Sequence, residues 1–279
     1  MQKTQIPCIK TGDFAKLCNT NKRTLFHYDE IGLFSPAYTD ERGYRFYSES
    51  QCDVFFTISC LREIGLPLKE TKNYIDKRSP AALKQLLEEQ YKKVHAEQER
   101  LKRIEQVIET KLSLVHLSEL PEVSGNDQTV RLEQTPEEYL VVSPRLNTND
   151  HDTIIHAICD HIGYCNHNRL NAGHPYGAMV STGSLLAEQW DTYAHFFTKV
   201  PQKPQGHPLH IKPAGTYAVT YLKGNYYEAS DAYRMLLSFI QKHHYRPGEF
   251  SYKEAVLDEI AVATVDNYIT KISILVMPE

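Results

Sequence analysis

Along the first eighty residues, apolar positions recur at helical spacing in short bursts separated by polar turns. Phe14, Leu17 and Cys18 stand at i, i+3 and i+4 in "GDFAKLC", which predicts a short helix with Thr11 as its N-cap. After the turn "NTN", the run "KRTLFHYDEIG" predicts a second helix, with Leu25, Tyr28 and Ile31 inward and Gly32 as its C-terminal stop. Two short helices joined by a tight polar turn predict a helix-turn-helix. Pro36 then opens an extended segment, "DERG" turns, and "YRFYS" alternates as a strand, giving a hairpin wing beside the second helix. Ser48 is expected to cap a third helix that buries Val54, Ile58, Leu61 and Ile64 and ends at Gly65 and Pro67. A short fourth helix is expected from Leu66 to Lys77.

From Pro80 to Ser118 the pattern changes to a single long period. Leu87, Val94, Leu101, Ile108 and Val115 stand seven apart without a miss, and no glycine or further proline interrupts them. The companion positions Leu83, Gln90, Glu97, Ile104 and Lys111 are only partly apolar. Sustained heptads predict a coiled coil, the alternative being a long amphipathic helix packed on its own chain. Beyond "LPEVSGNDQ", strand-like runs recur as "TVRLEQ", "EYLVVSPRL", "YGAMVST", "GTYAVTYL", "YKEAVLDEIAV" and "YITKISILV". Helical patterns, "DTIIHAICDHIGYC" and "EASDAYRMLLSFIQKH", lie between them. The fold expected is therefore multi-domain. An all-α winged helix-turn-helix domain spans 1–79, a coiled-coil dimerisation helix 80–118, and an α+β domain with an antiparallel sheet 119–279.

Charge sharpens this division. The net charge of −4 hides 19 basic against 16 acidic residues in 1–115, and 12 against 19 in 116–279. Halves of opposite sign predict halves with different partners, phosphate for the first and cations for the second. No apolar run approaches the roughly 20 residues that span a bilayer. The N-terminus lacks the apolar core of a secretory signal, so a cytoplasmic protein with no membrane partner is expected. The six cysteines form no C-x-x-C pair, which fits reduced thiols rather than a disulfide framework.

A helix beside a wing places its side chains in the major groove while the wing braces the backbone. Lys22, Arg23 and Arg45 are candidates for phosphate or base contacts, with Arg42 at the wing tip. Tyr28, Tyr44 and Tyr47 either donate phenolic hydrogens to phosphates or complete the small core. "TLFHYDEIGLFSPAYTDERGYRFYS" followed by a long helix closely resembles the MerR family of transcription regulators over about residues 8–118. Its wing motif, Gly43-Tyr44-Arg45-Phe46-Tyr47, is nearly intact. Phe26 stands where family members often carry Arg, and His27 is the candidate to replace that contact. The resemblance implies an antiparallel coiled-coil homodimer bound to double-stranded promoter DNA with an overlong spacer. It also implies activation by bending and untwisting the promoter for RNA polymerase, a shape-based mechanism.

The C-terminal runs "PAGTYAVTYLKGNYYEASDAYRMLLSFI" and "DNYITKISILV" resemble the gyrase-inhibitor-like (GyrI-like) effector domain of the multidrug-sensing branch. That implies lipophilic, cationic effectors held by aromatic rings and a buried carboxylate. Physics supports such a site, because a delocalised cation gains from π faces and a buried carboxylate favours a positive guest. The candidate ligand residues are Tyr176, Tyr193, Phe196, Tyr227, Tyr252, Glu254 and Tyr268, with Phe197, Tyr217 and Tyr226 as further aromatics. Alternation on the penultimate strand puts Tyr252, Glu254 and Val256 on one face, and Lys253 with Glu259 on the other. The family's carboxylate follows a Tyr on this strand, where this chain has Lys253, so either Glu254 takes the role or the pocket is not tuned to simple cations. Glu259 is the other candidate carboxylate. No cofactor is expected. His151, His156, Cys159, His161, Cys165 and His167 raise a metal-responsive regulator as an alternative, but His156 and His161 point apart on a helix. A third reading makes the C-terminal domain an enzyme hydrolysing a small molecule, for which His195, Tyr193 and Glu254 are the imaginable trio, although no nucleophile–base motif demands it.

Overall fold

The computed structural model describes residues 8–124 and 129–278; the predicted break at Gly125 to Gln128 lies outside them. The chain divides into two compact units, at Arg100/Leu101. Among the described residues, no helix is long and apolar enough to cross a membrane.

The first unit opens with strand β1 (Cys8–Lys10), then α1 (Thr11–Leu17) and α2 (Lys22–Glu30). The wing is β2 (Tyr38–Thr39) and β3 (Arg45–Ser48), followed by α3 (Gln51–Glu63) and α4 (Leu68–Asp76). The three strands form one sheet in the order β1-β3-β2. Two capping expectations are corrected. Thr11 begins α1 rather than capping it, because its hydroxyl donates to the Arg45 carbonyl at 2.9 Å and so ties the helix to the wing. Ser48 ends β3, and its N–H donates to the Gln51 side chain. Asn21 is a true cap, its side chain accepting from the Thr24 N–H at 2.8 Å. The core is aromatic: Tyr47, fully buried, clusters with Phe14 and Phe34, its ring centroid 4.6 and 5.6 Å from theirs.

Helix α5 runs without interruption over Pro80–Glu119. Its heptad residues Leu87, Val94, Leu101, Ile108 and Val115 are all exposed in the single chain, between 40% and 61%. A short helix, α6 (Pro121–Ser124), follows.

The remaining elements are β4 (Arg131–Thr135), β5 (Glu138–Val142), α7 (His151–His167), β6 (Gly177–Ser181), α8 (Thr182–Leu186) and β7 (Tyr193–Val200). They continue as β8 (Leu209–Lys212), β9 (Gly215–Lys223), α9 (Ser230–Lys242), β10 (Tyr245–Leu257) and β11 (Ile269–Pro278). The eight strands make one antiparallel sheet, ordered β4-β9-β11-β10-β6-β7-β5-β8. Two βαββ units are embedded in it, β5-α7-β6-β7 and β9-α9-β10-β11, meeting symmetrically at the β6–β10 pair. Helices α7 and α9 bury Ile154, Ile158, Tyr233, Leu236 and Ile240 against one face of the sheet. The opposite face holds Leu140, Met179, Phe197, Tyr217 and Tyr252 under Leu117 and Val123.

At the join the backbone comes close to its neighbours. A Cβ on Gly177 would lie 2.3 Å from the Phe197 ring and 2.8 Å from the Lys253 carbonyl oxygen. Gly163, on the exposed side of α7, would meet nothing. We expect Gly177→Ala to lower stability by about 1–3 kcal/mol through overpacking. Gly163→Ala should raise it by roughly 0.5–1 kcal/mol through helix propensity. Urea midpoints of the full chain check both signs.

Candidate functional site

In the first unit, α2 and the wing hold the predicted contact residues on defined supports. Lys22 and Arg23 occupy the exposed first turn of α2, where the N-terminal end of the dipole also favours a phosphate. His27 is exposed one turn on, beside Phe26, which is 36% exposed. Arg45 is already engaged: its Nε donates to Asp29 Oδ2 at 2.8 Å, and its guanidinium lies 4.8 Å from the Phe26 ring centre. The wing tip is pinned by Asp40, whose Oδ1 accepts from the N–H groups of Arg42 at 3.0 Å and Tyr44 at 2.7 Å. Gly43 supplies the φ of +83° that this turn requires. Tyr44 is 65% exposed, Tyr28 half-buried against the core, and Tyr47 wholly a core residue.

The second unit contains an aromatic cavity of about 660 Å³. Tyr176, Tyr226, Tyr227 and Tyr268 form its aromatic wall, with Ile162 from α7 and Ala255 from β10. Val107 and Lys111 of α5 complete one side, where the φ of +95° at Gly173 lets the loop close to within contact of the Val107 backbone. Asp258 and Glu259 also line it, and Lys111 Nζ lies 3.8 Å from Asp258. Burial pushes the Tyr176 phenol up to about 12 and raises those of Tyr193 and Tyr226 as well.

Charges on the two faces of β10 are treated in opposite ways. Glu254 points away from the cavity and accepts from Lys212 Nζ at 2.9 Å, while Glu138 lies 3.0 Å from the same ammonium. Lys199 also pairs with Glu138. Burial works to raise the Glu254 carboxyl, but Lys212 overrides it and holds the group well below the usual range. Lys212 also lies 4.9 and 5.2 Å from the ring centres of Tyr252 and Tyr217. Lys253, on the cavity side, lies against rings, Tyr226 at 3.7 Å and Tyr193 at 5.7 Å, with no carboxylate in ion-pair contact. Burial pushes its pKa down to about 7.

Comparison with known proteins settles the ancestry. Residues 9–78 match the model of the MerR HTH family regulatory protein. Over 262 residues, 94% of each chain, the sequence is 34% identical to the multidrug-efflux transporter 2 regulator of Bacillus subtilis (strain 168). The chain belongs to the MerR family. The multidrug-efflux transporter 1 regulator of the same organism is 29% identical over 195 residues, covering 68% of this chain and 67% of that one. Among solved structures, the EcmrR–DNA complex determined by cryo-EM covers 97% of this chain and 100% of that one, with TM-score 0.42 and 20% identity. The MerR-family chain is a ligand-responsive, DNA-binding transcription regulator, and these relatives are named regulators rather than enzymes.

Against this family frame the predicted ligand residues separate. Tyr176, Tyr227 and Tyr268 converge on the cavity, together with Tyr226. Tyr193 and Phe196 lie in the adjoining core, 2% and 1% exposed. Tyr252 and Glu254 face the opposite side of the sheet, so Glu254 does not reach the cavity. Strand β10 also stops at Leu257, which puts Glu259 in the following turn rather than on the strand. The trio His195, Tyr193 and Glu254 does not assemble. His195 Nδ1 bonds the Ser143 carbonyl at 2.9 Å, and the other two lie on opposite faces. The metal alternative fares no better: His161 bonds Thr198 at 3.0 Å and His156 its own helix backbone. Among the described residues no group of three or more potential ligands is placed to hold a metal. A second, mostly apolar cavity of about 630 Å³ lies along α7 and contains none of the predicted ligand residues. Sequence reasoning put Lys253 on the right face without assigning it a role. The signal was alternation from Tyr252.

The low pKa of Lys253 has a thermodynamic consequence. An unfolded lysine binds its proton up to about 10.4, the folded one only to about 7, so between these values the unfolded state holds more protons. Stability contributed through this group therefore rises with pH across that window and is at its lowest below it. Lys253→Met removes the term. We expect the midpoint of thermal unfolding to rise less between pH 7 and 9 in Lys253→Met than in the parent, and the variant to be the more stable of the two at pH 7.

Proposed function

We propose that this regulator works as a homodimer joined through α5, grips promoter DNA with its winged helix-turn-helix units, and activates RNA polymerase by distorting the promoter. Occupancy of the aromatic cavity by a lipophilic small molecule sets its activity. The observation that carries the sensor reading is the cavity itself, whose volume and tyrosine wall suit a drug-sized planar guest. The apolar stripe from Leu87 to Val115, exposed in the single chain, supports the dimer, because heptads of this kind are buried when two helices pair. On this reading the protein acts in the cytoplasm. Lys22, Arg23, His27, Arg42, Tyr44 and Arg45 carry the DNA contacts, with Tyr28 packing behind them. Arg45, held by Asp29, is the pre-oriented member of that set. The carboxylate that the resemblance implies for a cation is not supplied by Glu254, which is bound to Lys212.

The test is a footprint of the full-length protein on the promoters of its neighbouring genes, with and without a panel of lipophilic compounds. Protection whose pattern changes with a compound is the expected result. A monomeric protein that protects no duplex would overturn the reading. Arg23→Ala and Arg42→Ala should each weaken binding across sequences and reduce the salt slope by about 1. Tyr227→Ala and Tyr268→Ala should leave DNA affinity unchanged while abolishing the response to compound.

A further inference from the structure

The aromatic cavity adjoins a cation that the fold itself does not answer. Lys253 is 1% exposed, and its ammonium makes no hydrogen bond or ion pair with any described residue. The contrast with Lys212, equally buried but flanked by two carboxylates, is direct. π faces replace only part of the hydration a buried ammonium loses. Asp191, an exposed residue, offsets little of the effect of burial. The polar atoms nearby repeat the pattern, because the hydroxyls of Tyr193 and Tyr226 are buried without a partner. Each of these groups has a hydrogen to donate, and none has an acceptor.

Tyr226 belongs to both settings. Its ring covers Lys253 at 3.7 Å and also lines the cavity. It stands in a turn, two residues after Gly224 with its φ of +112°, outside any strand or helix. We propose that the cavity is built for a planar aromatic acid, whose carboxylate pairs with Lys253 and accepts from Tyr226 and Tyr193, while its ring lies between Tyr176 and Tyr227. In the filled site the Tyr226 ring turns from the lysine to the guest. Two acids also line the cavity and are answered in place: Asp258, 16% exposed, has Lys111 3.8 Å away, and Glu259 is exposed to water, which screens it.

The inference rests on the cavity being the effector site, and the experiment separates the two. Three probes of matched shape, 2-naphthoate, 2-naphthamide and a naphthyl trimethylammonium salt, are titrated calorimetrically into the full-length protein and into Lys253→Met. We expect the carboxylate to bind the parent at least about tenfold more tightly than the cation, a difference of about 1.4 kcal/mol. Lys253→Met should lose that preference while keeping its affinity for the amide. At pH 8, carboxylate binding should also take up protons in the parent, seen as a buffer-dependent enthalpy, and not in the variant. Binding of all three probes without a charge preference, or a preference for the cation, overturns the inference and leaves the effector cavity standing. Failure of every probe to bind overturns both.

Discussion

Strand β10 carries a lysine and a glutamate side by side, and alternation sends their charges into opposite halves of the core. Much of the second unit is arranged around what each half does with its charge. Below the sheet, Glu254 meets Lys212, which also meets Glu138, and the rings of Tyr217 and Tyr252 close over the ammonium. Above it, Lys253 lies against tyrosine rings. Gly177 fixes the register at this point, since its missing side chain lets β6 lie against the Lys253 carbonyl and the Phe197 ring. The pairing of β6 with β10 is also where the two βαββ halves join. The charges and the symmetry thus occupy the same few residues.

A buried ion pair is a weak source of stability, because desolvation consumes most of the attraction, yet removing one partner is costly. The Glu254–Lys212–Glu138 group therefore reads as a structural clamp between β8, β5 and β10 rather than as a receptor. An unpaired buried lysine has the reverse logic. It lowers stability at neutral pH and is retained only where surrounding packing supports it, a pattern common at functional positions. The placement of Lys253 behind the cavity's aromatic wall fits that pattern.

Local pattern made the first unit legible and left the second half-hidden. Helices α2, α3 and α4, the wing and the uninterrupted α5 follow from helical spacing, turn residues and heptads, all of which are short-range signals. Strand β1 was not visible, because three residues beside β3 carry no period. Thr11 and Ser48 failed as caps for the same reason, their hydroxyls being drawn to the wing and to a neighbouring serine. In the sheet, β7 was missed because "YAHFFTKV" is covered on both faces and lacks alternation. The repeat of βαββ units is a property of strand order, which no single segment displays. For the cavity, composition identified the tyrosines as a class, but only the fold separates Tyr176, Tyr227 and Tyr268 from Tyr193, Phe196 and Tyr252.

A regulator's effector can shift its conformational balance only by as much as its affinity differs between the two states. Contacts to exposed charges supply little difference, since water screens them in both states. A charge that is buried and unpaired in the empty protein supplies more, because pairing it removes a cost already present. Lys253 beneath Tyr226 is such a charge, and the ring above it sits in a turn that can rearrange without breaking a strand or helix. Shape selects a planar ring, and Lys253 selects its charge. The lysine gives its binding a mechanical consequence.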